Sequence, residues 1–130
     1  MTVLVAYASK HGSTQGIAEA IGGRLRARGM DAEVRPIGGV EDLERFDTLV
    51  VGSAVYLGAW MKDAQAFLHR HAEALRRVPV WVFSSGPTKD DPMELAVSAK
   101  QHERIQAMCP RDHHLFRGAF DPKDLGFLER

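Results

Sequence analysis

The chain has 130 residues, of which 45% are hydrophobic and 26% are charged, so it is long enough for one soluble globular domain with a buried core. Its 17 basic residues balance 17 acidic ones, which argues against nucleic acid or an anionic membrane as a partner. The single cysteine, Cys109, excludes an intramolecular disulfide, and no apolar run reaches the length of a transmembrane helix. We therefore expect a cytoplasmic protein.

Strands and helices alternate along the predicted chain. A near-continuous apolar run predicts a strand from Thr2 to Ala8, and apolar residues at helical spacing predict a helix from Thr14 to Arg28 that ends at Gly29. Further strands are predicted at Ala32 to Ile37, Thr48 to Ser53, Val80 to Phe83 and Leu115 to Phe120, further helices at Met61 to Arg77 and Met93 to Met108, and at most a helical turn at Val40 to Phe46. This alternation predicts an α/β fold with a parallel sheet built from right-handed crossovers.

The loop after the first strand carries the clearest functional signal. Ser9, Gly12, Ser13 and Thr14 lie where free backbone N–H groups and the positive end of the first helix converge, and that geometry suits a phosphate. The loop lacks the glycine patterns of nucleoside-triphosphate and dinucleotide sites. The alternative is that Ser13 or Thr14 is a plain helix cap and Gly12 a plain turn residue.

Two further loops follow strands of the same predicted sheet, and ligands of such sheets bind at the carboxyl ends of the strands. In the loop from Ser53 to Trp60, Tyr56 is the preferred residue to stack on a planar ligand, whereas Trp60 is more readily explained by packing over the end of the sheet. The loop from Ser84 to Asp91 offers amides and hydroxyls to the polar edge of a ring, although a plain turn explains it equally well.

The motifs Y-A-S-K-H-G-S-T-Q-G-I-A, V-V-G-S-A-V-Y-L-G and F-L-H-R-H begin at Tyr7, Val50 and Phe67. With them the chain resembles the flavodoxin-like family, and within it the flavodoxin-domain proteins related to menaquinone-dependent protoporphyrinogen oxidase. The resemblance runs over residues 1 to 120 and implies a three-layer sandwich with a five-stranded parallel sheet in the order 2-1-3-4-5. The family fold closes with another helix, of which Phe127 and Leu128 look like the beginning, so this final helix is expected to be missing or incomplete. Either the sequence is truncated there, or a second subunit covers the sheet edge as a homo-oligomer.

The resemblance also implies a site for FMN. The phosphate would lie among Ser9, Lys10, His11, Gly12, Ser13 and Thr14, and the isoalloxazine along Ser53, Ala54, Val55, Tyr56, Gly58, Ser84, Ser85, Gly86 and Pro87. No side chain is predicted to do covalent chemistry, because the flavin carries the electrons.

Two functions remain open at this stage. The favoured one is an FMN-binding redox protein, acting in electron transfer or as a flavin-dependent oxidoreductase of the protoporphyrinogen oxidase type, with a redox protein or a quinone as partner. The alternative is a binding or regulatory module that keeps the fold without a cofactor. The lack of an aromatic residue in the third loop and of a complete final helix motivates that alternative.

Two other chemistries are disfavoured by the residue pattern. His69 and His71 are two apart on a predicted helix, so their side chains diverge and cannot form the i, i+4 pair of a helical zinc site. No metal site is therefore predicted. A phospho-receiver domain shares the alternating architecture but needs acidic residues after its first and third strands, where this chain has Ser9 and Ser53.

Overall fold

The computed structural model describes residues 2–9, 13–40, 42–56, 59–86, 103, 105–106, 110 and 112–117. Strands and helices alternate through these residues as the sequence predicts. The elements are β1 (Thr2–Ala8), α1 (Ser13–Ala27), β2 (Asp31–Pro36), a 3₁₀ turn (Ile37–Gly39), β3 (Thr48–Tyr56), β4 (Ala59–Trp60), α2 (Lys62–Arg70), α3 (Ala72–Arg77), β5 (Val80–Gly86) and β6 (Asp112–Arg117).

Five of the strands form one parallel sheet in the order β2-β1-β3-β5-β6. The two-residue strand β4 lies off this path and pairs antiparallel with the end of β3, where Val55 faces Trp60. When β4 is set aside, the order is the predicted 2-1-3-4-5, and that prediction is confirmed. The reversal of strand order beside β1 creates the switch point at which open α/β sheets bind ligands.

The sheet is covered on both faces, because each central strand contributes alternate residues to two hydrophobic clusters. Along β1, Val3 and Val5 pack under α1, whereas Leu4 and Ala6 pack on the other face with the 3₁₀ turn, α2 and α3. The described residues therefore form the three layers that the resemblance implied. The final helix and most of the helix predicted at Met93 to Met108 lie outside the described residues; within the latter, Glu103, Ile105 and Gln106 have helical backbone, and Ile105 is buried.

Helix α1 ends at a glycine, as predicted. Gly29 has a φ of +85°, a conformation that favours glycine because it has no Cβ. The Met30 N–H bonds to the Leu25 carbonyl at 3.1 Å and the Gly29 N–H to the Arg26 carbonyl at 3.0 Å, which is the Schellman pattern. This closure turns the chain into β2.

Several predicted boundaries were wrong, and the most informative error concerns the helix predicted from Met61 to Arg77. It is two helices separated at His71, whose backbone has φ −107° and ψ 19°. Helix-type hydrogen bonds span the break, from the His71 N–H to the Phe67 carbonyl and from the Leu75 N–H to the His71 carbonyl. The apolar spacing therefore continues across the break, and a periodicity argument cannot detect it.

The strands also differ from the predicted bounds. β3 and β5 each run three residues further than predicted, to Tyr56 and Gly86, so part of each predicted loop is hydrogen-bonded sheet. β6 begins three residues earlier than predicted, and the predicted strand residues after Arg117 lie outside the described residues. β2 begins and ends one residue earlier than predicted. Ser84, Ser85 and Gly86 were assigned to a loop because they carry no apolar signal, although β5 pairs through them. The end of β3 has apolar residues and was assigned to a loop as part of a predicted ligand-binding segment.

Candidate functional site

The carboxyl ends of three adjacent strands bring the predicted loops to one edge of the sheet. Ala8 at the end of β1 is in register with Ser53 of β3, and Ser53 is in register with Ser84 of β5. Ser9 and the start of α1 follow β1 directly. The residues predicted from three separate loops therefore share this edge, which is the candidate functional site.

Thr14 in the first turn of α1 is the residue that most clearly indicates a ligand. Its side chain is 0% exposed, and its Oγ1 is buried without a hydrogen-bond partner among the described residues. A buried hydroxyl without a partner costs about 1–3 kcal/mol. The first turn of α1 has no acidic residue, so the helix offers no negative charge of its own to its positive end. An anion bound there would accept a hydrogen bond from the Thr14 hydroxyl and lie against the backbone amides of the first helical turn.

The other residues predicted around a phosphate are only partly described. Ser9 follows β1 and is half-buried, and Ser13 is the first residue of α1. Lys10, His11 and Gly12 lie outside the described residues, as do Gly58 and Pro87 of the predicted ring end.

Ser53 and Ser84, two of the buried serines of this edge, have hydrogen-bond partners within the protein, in contrast to Thr14. The Ser53 hydroxyl accepts a hydrogen bond from the Met61 N–H at 3.0 Å and donates one to the Ala54 carbonyl at 2.9 Å. The Ser84 hydroxyl accepts a hydrogen bond from the Trp60 indole Nε1–H at 2.8 Å. Both side chains are 0% exposed. Sequence reasoning missed these bonds, because they depend on the turn-back of β4 over the sheet.

Trp60 packs over the end of the sheet, as the sequence analysis preferred. Its side chain is 2% exposed and belongs to the same core cluster as Val55 and Ala64. The Gln65 side-chain amide donates a hydrogen bond to the Trp60 carbonyl at 2.8 Å, which joins β4 to α2. Trp60 is therefore not available to stack on a ligand, and Tyr56, the last residue of β3, remains the candidate for that role.

The rest of the predicted ring end lies beside these serines. Ala54 is half-buried in β3 and is in register with Ser85 of β5, which is 4% exposed. Tyr56 and Gly86 are the last residues of their strands. The structure thus brings the described members of the ring end together at two neighbouring strand termini.

A concave feature lies away from this edge, between the 3₁₀ turn and α2. It has a volume of about 180 Å³ and is lined by Ile37, Gly38, Val40, Asp63, Ala66, Phe67 and Arg70. Pockets for cofactor-sized ligands usually measure about 300–1,000 Å³. The strand ends therefore remain the favoured site.

Among the described residues, His71 at the break between α2 and α3 is the one whose pKa is shifted from its ordinary value. Burial, with a smaller contribution from the neighbouring Arg70, lowers the pKa of His71 below its ordinary value of 6.5, while Asp42 acts in the opposite direction. Its Nε2 atom is buried without a hydrogen-bond partner, and its ring lies 4.8 Å from that of Phe67 between centroids. Through its contact with Phe67, His71 packs against the core cluster that α2 and α3 cover, away from the strand ends.

Two searches of the described part of the chain bear on other functions. It contains no group of three or more His, Cys, Asp or Glu residues that could hold a metal ion. Within the same residues no helix combines the length and the apolar character that crossing a membrane requires.

The fold and the site define a doubly wound α/β protein with a buried, unpartnered hydroxyl at the start of its first helix. A family model described as flavodoxin domain matches residues 4–130, so the chain belongs to this family of flavodoxin-domain proteins.

Solved structures with the same fold include a flavodoxin from the domain Archaea and an oxidised flavodoxin 2 from Bacillus cereus. The archaeal protein is 22% identical with a TM-score of 0.76, covering 100% of this chain and 92% of its own. The Bacillus cereus protein is 25% identical with a TM-score of 0.73, covering 96% of this chain and 90% of its own. The flavodoxin-like architecture is thereby confirmed.

A curated relative is the protoporphyrinogen IX dehydrogenase [quinone] of Escherichia coli (strain K12). It is 27% identical over 86 residues, which cover 65% of this chain and 48% of the relative. The match therefore spans about half the length of that protein.

Proposed function

We propose that this protein binds FMN at the strand-end site and acts as a redox protein. The observation that carries the proposal is the Thr14 hydroxyl, which is buried without a partner in the first turn of α1. A phosphate monoester with a charge of about −1.5 to −2 supplies both the missing acceptor and the negative charge that the helix start favours. Membership of the flavodoxin-domain family supports the same cofactor.

The residues at the phosphate end fit this group chemically. The Thr14 hydroxyl would donate a hydrogen bond to one phosphate oxygen, and the backbone amides at the start of α1 would donate hydrogen bonds to the other oxygens. Ser9, Ser13 and the glycine and basic residues between them complete the proposed phosphate end, with Lys10 and His11 as its cationic side chains and Gly12 as its turn residue.

At the ring end, the proposal assigns contacts to the termini of β3 and β5. Tyr56 would stack on the isoalloxazine, whereas Ser85 and Gly86 would present backbone amides to its polar edge. The full proposed set on this side is Ser53, Ala54, Val55, Tyr56, Gly58, Ser84, Ser85, Gly86 and Pro87. Bound FMN would supply one- or two-electron chemistry, and the protein would supply binding, orientation and exclusion of water.

The finer proposal concerns the electron partner. The name of the Escherichia coli relative includes a porphyrinogen and a quinone, and the chain matches about half of that protein. We propose a quinone, or a redox protein, as the acceptor and a porphyrinogen as a candidate donor. Anaerobic reduction followed by mixing with a menaquinone analogue, with and without protoporphyrinogen, tests this step. Reoxidation by the quinone alone identifies a carrier, and porphyrinogen-dependent turnover identifies an oxidoreductase.

The test of FMN binding is a titration of flavin-free protein followed by visible absorbance and by thermal melting. We expect saturable binding, and ligand at about 100 times its dissociation constant should add about 2.7 kcal/mol to the free energy of unfolding. Riboflavin, which lacks the phosphate, should bind more weakly than FMN. A melting temperature that does not change across the titration would reject the proposal and favour a cofactor-free binding or regulatory module.

We also propose that the protein works in the cytoplasm as a partner of small molecules and redox proteins rather than nucleic acid. The single cysteine fits a reducing compartment, and the balanced charge of 17 basic and 17 acidic residues supports the choice of partners. Whether two copies associate is tested by sedimentation of the flavin-free and flavin-bound protein.

A further inference from the structure

The hydrogen bonds at the ends of β3 and β5 form one connected group, which we call the hairpin latch. Its members are Ser53, Trp60, Met61, Gln65 and Ser84. Trp60 and Met61 are consecutive in the chain, and each bonds to a serine of the sheet. The two serines are themselves register partners on neighbouring strands. Trp60 and Met61 are therefore bonded to a pair of serines that lie side by side on neighbouring strands.

A third bond extends the latch to α2. The Gln65 side chain donates to the Trp60 carbonyl at 2.8 Å, so the backbone of β4 is bonded to the helix that follows it. Trp60 of β4 and the following Met61 are thus bonded to β3, β5 and α2. Three attachments of this kind restrict both the position and the tilt of the hairpin over the sheet edge.

The central bond of the latch is shielded from water. Trp60 is 2% exposed, and Ser84 is 0% exposed. A buried hydrogen bond resists disruption because breaking it leaves a polar group without water as a substitute partner. An indole N–H can only donate a hydrogen bond, and that of Trp60 donates to Ser84. It is therefore not available to donate to a ligand.

We propose that the hairpin latch orders the ring end of the site before the flavin binds, and that Trp60 and Ser84 are positioning residues for the isoalloxazine. This inference rests on the proposed function. The paired strands β3 and β4 include Val55 and Tyr56, the described residues on the β3 side of the proposed ring end. Ordering a loop upon binding reduces affinity, so a hairpin ordered in advance increases it. The latch acts on the ring end and not on the phosphate end.

The experiment crosses two ligands with variants at the two ends of the site. FMN and riboflavin share the ring, and only FMN has the phosphate. We expect Trp60→Phe and Ser84→Ala each to weaken binding of both flavins by a similar factor, about fivefold to tenfold. Thr14→Val should weaken FMN binding while riboflavin binding changes little. The Trp60→Phe/Ser84→Ala double variant should bind each flavin about as weakly as either single variant does, because both changes remove the same hydrogen bond.

Trp81→Phe is the matched control for the loss of an indole. Trp81 lies on β5 three residues before Ser84, and it packs on the opposite face of the sheet with the α1 cluster. Its replacement should leave the affinities for both flavins unchanged. Unaltered riboflavin affinity in both latch variants would overturn the inference, as would a loss confined to FMN.

A measurement on the unmodified protein covers the case in which the latch variants do not fold. Trp81→Phe removes one of the two indole N–H signals and thereby assigns the other to Trp60. We expect the Trp60 N–H to be protected from hydrogen exchange to the same degree without and with FMN. Protection that arises only after FMN is added would overturn the inference, because the flavin would then order the hairpin itself. If the unmodified protein binds neither flavin, the proposed function fails; if it binds both and the latch variants bind equally well, only this inference fails.

Discussion

Two buried hydroxyls at the same edge of the sheet differ in a way that separates ligand site from supporting structure. Thr14 and Ser84 are both 0% exposed; Thr14 lies in the first turn of α1, the helix after β1, and Ser84 lies near the carboxyl end of β5. Ser84 Oγ accepts a hydrogen bond from the Trp60 indole Nε1–H at 2.8 Å, whereas Thr14 Oγ1 has no partner among the described residues. The satisfied hydroxyl belongs to the architecture. The unsatisfied hydroxyl is the one that we propose as a contact of the flavin phosphate.

The energetic difference between these hydroxyls makes the comparison testable. A buried polar group without a partner costs about 1–3 kcal/mol, while a hydrogen bond to a charged acceptor contributes about 1.5–3 kcal/mol. Removal of the Thr14 hydroxyl should therefore help the flavin-free protein and harm its complex. At Ser84 the same kind of change should harm both.

The largest expected effect is that of Thr14→Val on FMN affinity. Valine keeps the shape of threonine and removes the hydroxyl, so we expect binding to weaken by up to about a hundredfold, which corresponds to about 3 kcal/mol. The flavin-free variant should be as stable as the unmodified protein or more stable. Isothermal titration with FMN and urea unfolding without it measure the two quantities.

Thr48→Val is the matched control for that substitution. Thr48 begins β3 at the opposite edge of the sheet, is 8% exposed and has interactions within the protein. Its replacement should lower stability and leave FMN affinity unchanged. If Thr14→Val instead destabilises the flavin-free protein as Thr48→Val does, the Thr14 hydroxyl is an ordinary structural group and the comparison breaks.

A smaller effect is expected in the supporting structure, from Gly52→Ala. Gly52 in β3 is in register with Phe83 in β5, and a Cβ at Gly52 would overlap the Phe83 ring. Phe83 is 0% exposed, so the ring has no free space into which it can move. Overpacking of this kind typically costs 1–3 kcal/mol, and we expect a loss of about 2 kcal/mol in the free energy of unfolding.

Gly23→Ala controls for the glycine substitution itself. Gly23 lies on the exposed side of α1, and a Cβ there meets nothing within 4 Å. Because alanine favours a helix more than glycine does, this variant should gain about 0.5–1 kcal/mol in stability. Equal unfolding midpoints for the two variants would show that the contact with Phe83 does not limit packing in the sheet.

The smallest effect concerns pH and His71. Because burial lowers the pKa of His71 below 6.5, the unfolded chain binds the proton more readily than the native protein does. Stability should therefore fall as the pH decreases through 6.5 and stop falling below the native pKa. Urea unfolding between pH 8 and pH 5 measures this slope, and His71→Gln should reduce it.

His69→Gln is the control, since His69 is exposed on α2 two residues away. It should keep the slope of the unmodified protein. A slope that His71→Gln leaves intact would mean that the titration has another source, and the buried Nε2 of His71 would not explain it.

The sequence predicted the elements whose signal is local. The apolar run of β1 identified its residues from Thr2 to Ala8, and Gly29 correctly marked the end of α1. The hydroxyls after β1 were correctly grouped at the start of α1, because strand, loop and helix are contiguous there. The helix break at His71 was missed, since apolar spacing continues across it.

The positions of Ser53 and Ser84 at the strand ends were predicted, but their hydrogen-bond partners were not. Ser53 and Ser84 were assigned to the ring end through the resemblance to the flavodoxin-like family, and the sequence alone does not show which partners their hydroxyls have. Their actual partners, Met61 and Trp60, are 8 and 24 residues away in sequence and reach them only through the antiparallel return of β4. A two-residue strand has too little pattern to be recognised from sequence alone.

The amino-acid sequence by itself determined the alternation of strands and helices, the position of α1 and the concentration of hydroxyls at the strand ends, because periodicity and chain connectivity are local properties. The order of the sheet came from the resemblance to the flavodoxin-like family. Only the tertiary structure decided which of those hydroxyls are satisfied. Burial and hydrogen-bond partners depend on residues far apart in the chain, and the difference between Thr14 and Ser84 exists only once the sheet has assembled.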